Sequence, residues 1–275
     1  MSIITISRGS LSGGQELAER VAGRLGYRCV SREVLLEAAK RYGVPEPKLS
    51  ELFEKKPSFW EWLTRSRERY IVFVQAAMCE LAQEGQLVYH GHAGQQLLAG
   101  VGHVLKVRLI APLERRIRGA MEREKLDREA ATKYVERIDD ERYHRMRELF
   151  EVDWRDPALY DVVLNVERMS LGTAAEIVIS LAQQPEFQPT AESTRALQDL
   201  TVGARVKATL LADPATNDIP LQVEASEGVV RISGIVTAID DGQIEDTLRD
   251  KAMTVPGVRS VILDVQFRPV LAHPG

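Results

Sequence analysis

Cysteine is nearly absent from this chain, whose 275 residues include two, Cys29 and Cys79. Their spacing matches none of the paired-cysteine motifs that bind zinc or carry a redox disulfide. This excludes a small secreted domain that depends on disulfides, and we expect both thiols to be reduced and to lie in a core. The cysteine usage therefore favours a cytoplasmic protein.

Long apolar stretches are also missing. No run approaches the roughly 18 apolar residues that a membrane-spanning helix requires, so we expect no transmembrane segment. Residues 1–6 have the pattern of a buried strand and lack the basic and apolar regions of a signal peptide. The formal net charge is −4, and without excess positive charge we expect no binding to nucleic acid.

The length and the pattern of elements predict two domains. Strands alternate with helices over residues 1–182, which predicts an α/β fold: a parallel sheet with helices on both faces. Residues 183–194 are polar and contain two prolines, as is typical of a linker. In residues 195–270 the order changes to helix, strand, strand, helix and strand, which predicts a small α+β domain.

A glycine-rich turn follows the first predicted strand and opens the first predicted helix. Gly9 and Gly14 have the G-x-x-x-x-G spacing of a P-loop, in which backbone N–H groups and the helix N-terminus bind phosphate. Gln15 and Glu16 replace the Lys and the Ser or Thr that normally follow, so the motif is incomplete. The alternative interpretation is a tight strand-to-helix turn that needs glycine.

The positive charge that a phosphoryl-transfer site needs could come from other residues. Arg8 directly precedes the loop and could replace the missing lysine. The charged helical segment 113–150 contains arginines that could reach the loop: Arg116, Arg123 and Arg142. Most other charges in that segment predict a solvated helix face with i,i+4 pairs, such as Glu114 with Arg118.

Taken in order, the motifs of residues 1–182 resemble those of the cytidylate kinase-like family, a branch of the nucleoside monophosphate kinases. The family has I-S-R and G-S-G-G-R-E around its phosphate loop, then D-R-E, a third loop with V-G-R-G or D-G-R, A-P, I-D-x-x-R, W-G-D-P and Y-D. The corresponding segments here are Ile6-Ser7-Arg8, Ser12-Gly13-Gly14-Gln15-Glu16, Ser31-Arg32-Glu33, His90-Gly91-His92, Ala111-Pro112, Asp139-Asp140-Glu141-Arg142, Trp154-Arg155-Asp156-Pro157 and Tyr160-Asp161.

The resemblance implies an enzyme that uses ATP and Mg²⁺ and a nucleotide as its second substrate. It implies that the donor phosphates lie on the loop, at Arg8, Gly9, Ser12, Gly13, Gly14, Gln15 and Glu16. It places Arg32 and His92 in the acceptor pocket. It places Arg116, Asp139 and Arg142 in an arm and lid that close over the phosphates and exclude water. No side chain is assigned to the metal: Glu16 could be a ligand or a solvated helix residue.

Three departures from the family pattern bear on activity: Gln15 and His92 replace arginines, and Ser31 replaces an aspartate. Two functions follow. The ordered motifs favour a kinase that transfers the γ-phosphoryl group of ATP to a nucleoside monophosphate such as CMP or dCMP. The departures favour a nucleotide-binding regulator with weak or no turnover.

Several residues also have a plainer interpretation. His90 and His92 could be exposed loop residues without a ligand, because two histidines at this spacing do not make a metal site. The three tryptophans are expected to pack in cores rather than stack on a base: Trp60, Trp62 and Trp154.

The C-terminal segment 224–234 resembles the strand-turn-strand of a BON domain, and Gly257-Val258-Arg259-Ser260-Val261 resembles its last strand. Gly228 suits the hairpin turn and Gly234 a strand end. The resemblance implies binding of a phospholipid, a protein or a small ligand. Residues 195–268 carry eight Lys and Arg against eleven Asp and Glu, which argues against simple electrostatic docking to an anionic membrane.

Overall fold

The computed structural model describes residues 2–43, 66–91, 93–237 and 241–268. The predictions for Trp60, Trp62 and His92 lie outside these residues. The elements are β1 (Ile3–Arg8), α1 (Gly14–Leu25), β2 (Arg28–Val30), α2 (Glu33–Tyr42), α3 (Ser66–Gln83), β3 (Leu87–Gly91), α4 (Gly94–Leu97), β4 (Val104–Ile110), α5 (Leu113–Glu124), α6 (Arg128–Phe150), β5 (Val162–Asn165), α7 (Leu171–Ala182), α8 (Ala191–Ala212), β6 (Leu221–Ser226), β7 (Val229–Thr237), α9 (Asp241–Met253) and β8 (Ser260–Arg268). Short 3₁₀ turns span Pro157–Leu159 and Pro185–Phe187.

The first unit is a five-stranded parallel sheet in the order β2-β3-β1-β4-β5. Alternate residues of a strand face opposite sides, so Ile3 packs among α2 and α3 while Ile4 packs among α1 and α7. Both isoleucines are fully buried. The predicted α/β fold with helices on both faces of a parallel sheet is confirmed.

Helices α5 and α6 form a hairpin beside the sheet, with its own apolar contacts around Ile117 and Val135. The helical segment 113–150 is interrupted because Lys125 has a left-handed φ of 54°, and Asp127 then caps α6 by accepting from the Ala130 N–H at 2.8 Å. The turn brings Arg128 onto Glu114 at 2.8 Å. The predicted i,i+4 pair of Glu114 with Arg118 is therefore wrong, since Glu114 pairs with Arg128 instead.

Helix α8 connects the sheet unit to the C-terminal unit and packs on both. Thr190 and Ser193 cap its start in a capping box. One face of the helix contributes Leu197 and Ala204 to the core beside α3, and another contributes Val206 to the core of the C-terminal sheet. Burying apolar residues on two faces makes this helix part of two cores at once.

The C-terminal sheet has the order β6-β7-β8, with β6 antiparallel and β8 parallel to β7. Its elements follow the predicted helix, strand, strand, helix, strand order. The β6–β7 turn has positive φ values at Glu227 and Gly228, of 50° and 81°. Among the residues that the structure describes, no helix has the length and apolarity to cross a membrane.

Candidate active site

The phosphate loop, residues 9–14, lies between the end of β1 and the start of α1. Leu11 and Gly13 have positive φ values of 58° and 87°, and the Ser12 hydroxyl closes the turn by donating to the Gly9 carbonyl at 2.8 Å. Within the described residues no side chain caps the N-terminus of α1. The first N–H groups of this helix are therefore available to an anion, and the helix dipole favours negative charge there.

The Arg8 side chain packs against Gly14 and explains why this position has no side chain. A Cβ atom on Gly14 would come within 2.1 Å of the Arg8 Cδ atom, so any larger residue would displace that side chain. Burial and the charge of Arg123 lower the pKa of Arg8. The Arg8 Nε atom is buried and has no partner among the described residues. A guanidinium held in this way is suited to an anion at the loop.

Gln15 and Glu16 interact along α1. The Gln15 amide donates to Glu19 at 2.9 Å, and Arg20 donates to Glu16 at 2.7 and 3.0 Å. Both are i,i+4 contacts on an exposed helix face. Neither side chain therefore brings positive charge to the loop, and the Glu16 carboxylate is neutralised by Arg20.

Arg116 ties the α5–α6 arm to the loop. Its Nε and Nη2 atoms donate to the carbonyl and the hydroxyl of Ser10 at 2.8 and 2.7 Å. Asp139 accepts two further hydrogen bonds from the same guanidinium, at 2.6 and 2.7 Å. Arg116 is buried, whereas 30% of the Asp139 side chain is exposed. The structure thus brings these two predicted residues together at the loop.

Arg142 also reaches the loop, where it donates to the Arg8 carbonyl. It is buried, and its guanidinium carbon lies 4.9 Å from the centre of the Trp154 ring. Burial, followed by repulsion from Arg8, lowers the pKa of Arg142 to about 9. Arg123 lies further out: it is exposed and pairs with Glu124 at 3.3 Å.

Three residues at this site were not assigned from the sequence: Arg108, Trp154 and Tyr160. Arg108 donates to the Trp154 carbonyl at 3.1 Å, and its guanidinium carbon lies 4.7 Å from the centre of the Trp154 ring. The Tyr160 hydroxyl donates to the same carbonyl at 2.8 Å. The W-x-D-P and Y-D motifs mark the two aromatic residues, but a lone Arg in a buried strand gave no signal.

Of the residues predicted for the acceptor pocket, the structure describes Arg32 and its neighbours. Arg32 is exposed and precedes α2, and Glu33 accepts a hydrogen bond from the Ser31 N–H at 2.6 Å. His90 is 7% exposed, so its interpretation as an exposed loop residue is wrong. Burial, followed by the charge of Arg8, lowers the pKa of His90.

Beside the loop is a cleft of about 270 Å³ lined by Gly9, Arg108, Ile110, Ala111, Arg116, Asp139, Asp140, Trp154 and Arg155. The arginines of this lining suit a polyphosphate, and the uncapped N-terminus of α1 lies at the other end of the same loop. For magnesium the cleft offers two carboxylates, Asp139 and Asp140. The described residues contain no group of three or more metal-ligating side chains. Phosphate oxygens and water would therefore supply most ligands of such an ion.

Comparisons with known proteins agree with this geometry. Residues 3–168 match the sequence profile of the Cytidylate kinase-like family. A protein of Methanopyrus kandleri named cytidylate kinase is 30% identical over 177 residues, which cover 61% of this chain and 86% of that protein. A protein of the same name from Ignicoccus hospitalis is 26% identical over 179 residues, covering 65% and 97%.

Among solved structures, an uncharacterized protein from Eubacterium ventriosum superposes with a TM-score of 0.53 at 19% sequence identity. The superposition covers 66% of this chain and 97% of that chain. This similarity shows a shared fold.

Proposed function

Since the chain belongs to the cytidylate kinase-like family, we propose that it transfers the γ-phosphoryl group of ATP to a nucleoside monophosphate. The observation that carries this proposal is the cluster of Arg8, Arg108, Arg116 and Arg142 around an uncapped phosphate loop. Phosphoryl transfer requires positioning and neutralisation of phosphate oxygens more than covalent chemistry by the protein. A site built from arginines and backbone N–H groups meets that requirement.

The residues of the loop and arm have distinct roles in this proposal. ATP, bound with Mg²⁺, supplies the transferable phosphoryl group. The N–H groups of the loop and Arg8 hold the donor phosphates. Arg116 fixes the loop through Ser10 and is itself held by Asp139, while Arg142 adds positive charge behind the loop. Because Arg116 and Arg142 are buried, their charges act on phosphate in a medium of low dielectric constant.

The acceptor binds, in the same proposal, at the end of β2 and β3, where Arg32 and His92 are its contacts. CMP and dCMP are the first acceptors to test, because the two relatives named above are cytidylate kinases. A coupled assay for ADP formation, with Mg²⁺ and each common nucleoside monophosphate, tests the proposal. We expect turnover with at least one pyrimidine nucleotide, and no turnover with any acceptor would refute kinase activity.

A second function is favoured by one observation: Gln15 and Glu16 are engaged along α1 and bring no positive charge to the loop. In this alternative the chain binds nucleotide as a regulator with weak or no turnover. ATP would then raise the melting temperature without ADP formation. The change Gln15→Arg separates the two functions, because it should increase the rate of an attenuated kinase and leave a pure regulator inactive.

For the C-terminal part we propose a division into a kinase-like unit at 1–182, a connection at 183–194 and a BON-like binding unit at 195–270. The support is the helix, strand, strand, helix, strand order and the separate core around Val230 and Ile232. The proposed ligand is a phospholipid, a protein or a small molecule. Vesicle co-sedimentation and pull-down with the full chain test whether such a ligand binds. Substitution of exposed residues of this unit, such as Arg231→Gln, tests whether the unit provides the binding.

A further inference from the structure

Arg108 is a buried arginine for which the described residues provide no salt-bridge partner. It is 9% exposed, and burial lowers its pKa. Its Nη1 atom donates to the Trp154 carbonyl at 3.1 Å, and its Nε atom is buried without a hydrogen-bond partner in the described part of the chain. The carboxylates of Asp153 and Asp139 oppose this shift of the pKa, but neither pairs with the guanidinium among the described residues. Burial of a charged group without an opposite charge in contact is costly. A ligand that carries negative charge would offset that cost.

Aromatic rings form the surroundings of this guanidinium. Its central carbon lies 4.7 Å from the centre of the Trp154 ring and 5.7 Å from that of Tyr160. Arg142 lies 4.9 Å from the same Trp154 ring. Cation–π contacts hold a guanidinium in place without neutralising its charge. The two arginines therefore keep their capacity to bind an anion.

The position of Arg108 in the sheet directs it to the phosphate loop. It pairs in register with Ser7 of β1, two residues before Gly9. The Tyr160 hydroxyl lies 3.2 Å from the Ser7 hydroxyl, so this aromatic residue contacts β1 at the same level. Arg108 lines the same cleft as Gly9, Arg116 and Asp139. An anion bound in this cleft would thus contact the loop and Arg108 together.

We propose that Arg108 binds a phosphate group of the nucleotide and supplies the positive charge that Gln15 does not bring to the loop. Trp154 is the positioning residue: its ring holds the guanidinium group of Arg108 at the cleft and also contacts that of Arg142. This inference rests on the proposed function of the cleft as a nucleotide phosphate site. It adds a binding residue from β4 to those of the loop and the arm.

The direct test measures binding of tripolyphosphate and of ATP to the full chain by calorimetry. Arg108→Met keeps the apolar volume and removes the charge, Arg108→Lys keeps the charge without the planar group, and Arg147→Gln removes an exposed arginine of α6 as a control. We expect Arg108→Met to bind both probes roughly 10- to 100-fold more weakly, as expected for loss of a charged hydrogen bond. The control should bind like the wild type.

The melting temperature without ligand separates binding from structure. If Arg108 binds phosphate, Arg108→Met removes a buried charge that no described carboxylate contacts, and the variant should melt at the same or a higher temperature. If Arg108 only supports the fold, the variant melts lower and any folded fraction binds tripolyphosphate with unchanged affinity, which overturns the inference. Should Arg108→Met fail to fold, Arg108→Gln decides, because it also removes the charge but keeps a polar side chain: unchanged affinity for both probes overturns the inference, and weaker affinity supports it.

Trp154 is tested with Trp154→Phe and Trp154→Leu. Trp154→Phe retains an aromatic ring and Trp154→Leu does not. We therefore expect the Phe variant to keep most of the affinity for tripolyphosphate and the Leu variant to lose it. Equal affinity in both variants would overturn the positioning role. In addition, Gln15→Arg should restore binding to Arg108→Met more than it improves the wild type. If ATP binding depends on Arg108 but no acceptor is phosphorylated, the proposed kinase activity is refuted and this inference stands. If an acceptor is phosphorylated but ATP binding does not depend on Arg108, this inference is refuted and the kinase activity stands.

Discussion

Asp139→Asn removes the carboxylate charge that neutralises Arg116 and preserves the shape of the side chain. Two hydrogen bonds join the groups, at 2.6 and 2.7 Å. Arg116 is otherwise bound to Ser10 of the loop. Burial, followed by repulsion from Arg8 and more weakly from Arg116, lowers the pKa of Arg142, and the Asp139 carboxylate opposes that shift. The variant therefore leaves the cationic cluster with less compensating negative charge.

The magnitude follows from these contacts. A hydrogen bond between charged groups contributes about 1.5–3 kcal/mol. Because 30% of the Asp139 side chain is exposed and the amide can still accept one bond, solvent screening reduces the effect. We expect a loss of about 2 kcal/mol in the free energy of unfolding, or a melting temperature lower by roughly 4–8 °C.

An anion should restore this loss, because it can occupy the cleft and replace the carboxylate charge. A ligand that binds only the folded state stabilises it, and the gain grows with the logarithm of the ratio of ligand concentration to dissociation constant. The assay is differential scanning fluorimetry in sulfate and in chloride of equal ionic strength. We expect sulfate to raise the melting temperature of Asp139→Asn more than that of the wild type. An unchanged melting temperature in the variant, or equal gains from sulfate, would refute the reasoning.

Three further changes test other parts of the molecule. Gly14→Ala places a Cβ atom 2.1 Å from Arg8 Cδ, so the displaced guanidinium should lower kcat/KM about 100-fold, measured by ADP formation. Glu80→Gln removes the charge of a buried carboxylate that pairs with Arg205 of α8 at 2.7 Å. Because the ion pair between α3 and α8 is lost, the rate of amide hydrogen exchange in α8 should increase. His90→Asn should reduce the loss of stability on acidification. The lowered pKa of His90 means that the unfolded state, with a pKa near 6.5, takes up the proton first, so stability falls as the pH drops below about 7.

Each of these changes has a matched control. Gly23→Ala, also in α1, has open space around the new methyl group and should be neutral or stabilising. Glu84→Gln removes an exposed carboxylate whose side chain is 62% accessible, with no expected effect on α8. His144→Asn, at an exposed histidine, should leave the pH profile of the melting temperature unchanged. If a control variant shows the same change as the variant it is matched to, the structural explanation given for that variant is contradicted.

The elements of the kinase-like unit were predictable because their signals are local. The apolar run Val104–Ile110 predicts a strand, and β4 has the same bounds. The run at residues 160–164 also predicts a strand, but β5 begins two residues later, at Val162, because the Tyr160 N–H closes the preceding 3₁₀ turn by donating to the Pro157 carbonyl at 3.0 Å. Apolar periodicity marks a buried strand well but does not identify a residue that ends the preceding turn.

The candidate site was predictable to a smaller extent. Arg116, Asp139 and Arg142 come from ordered motifs, and the structure brings the three together at the loop. Arg108 has no such motif, because an arginine inside a strand acquires its role from a ring 46 residues away in sequence. The sequence also did not predict where the side chains of Gln15 and Glu16 point, because a side chain at the start of a helix can contact either the preceding loop or the next helical turn.

The sequence by itself determined the phosphate loop, residues 9–14, as a glycine-rich turn between a strand and a helix, because backbone conformation and apolar period are properties of neighbouring residues. The tertiary structure decided which charges surround that loop. Arginines from β1, β4, α5 and α6 meet there because the sheet order places β4 beside β1 and the arm folds back onto Ser10. Helix α8 likewise joins two cores through packing that its own sequence pattern did not specify.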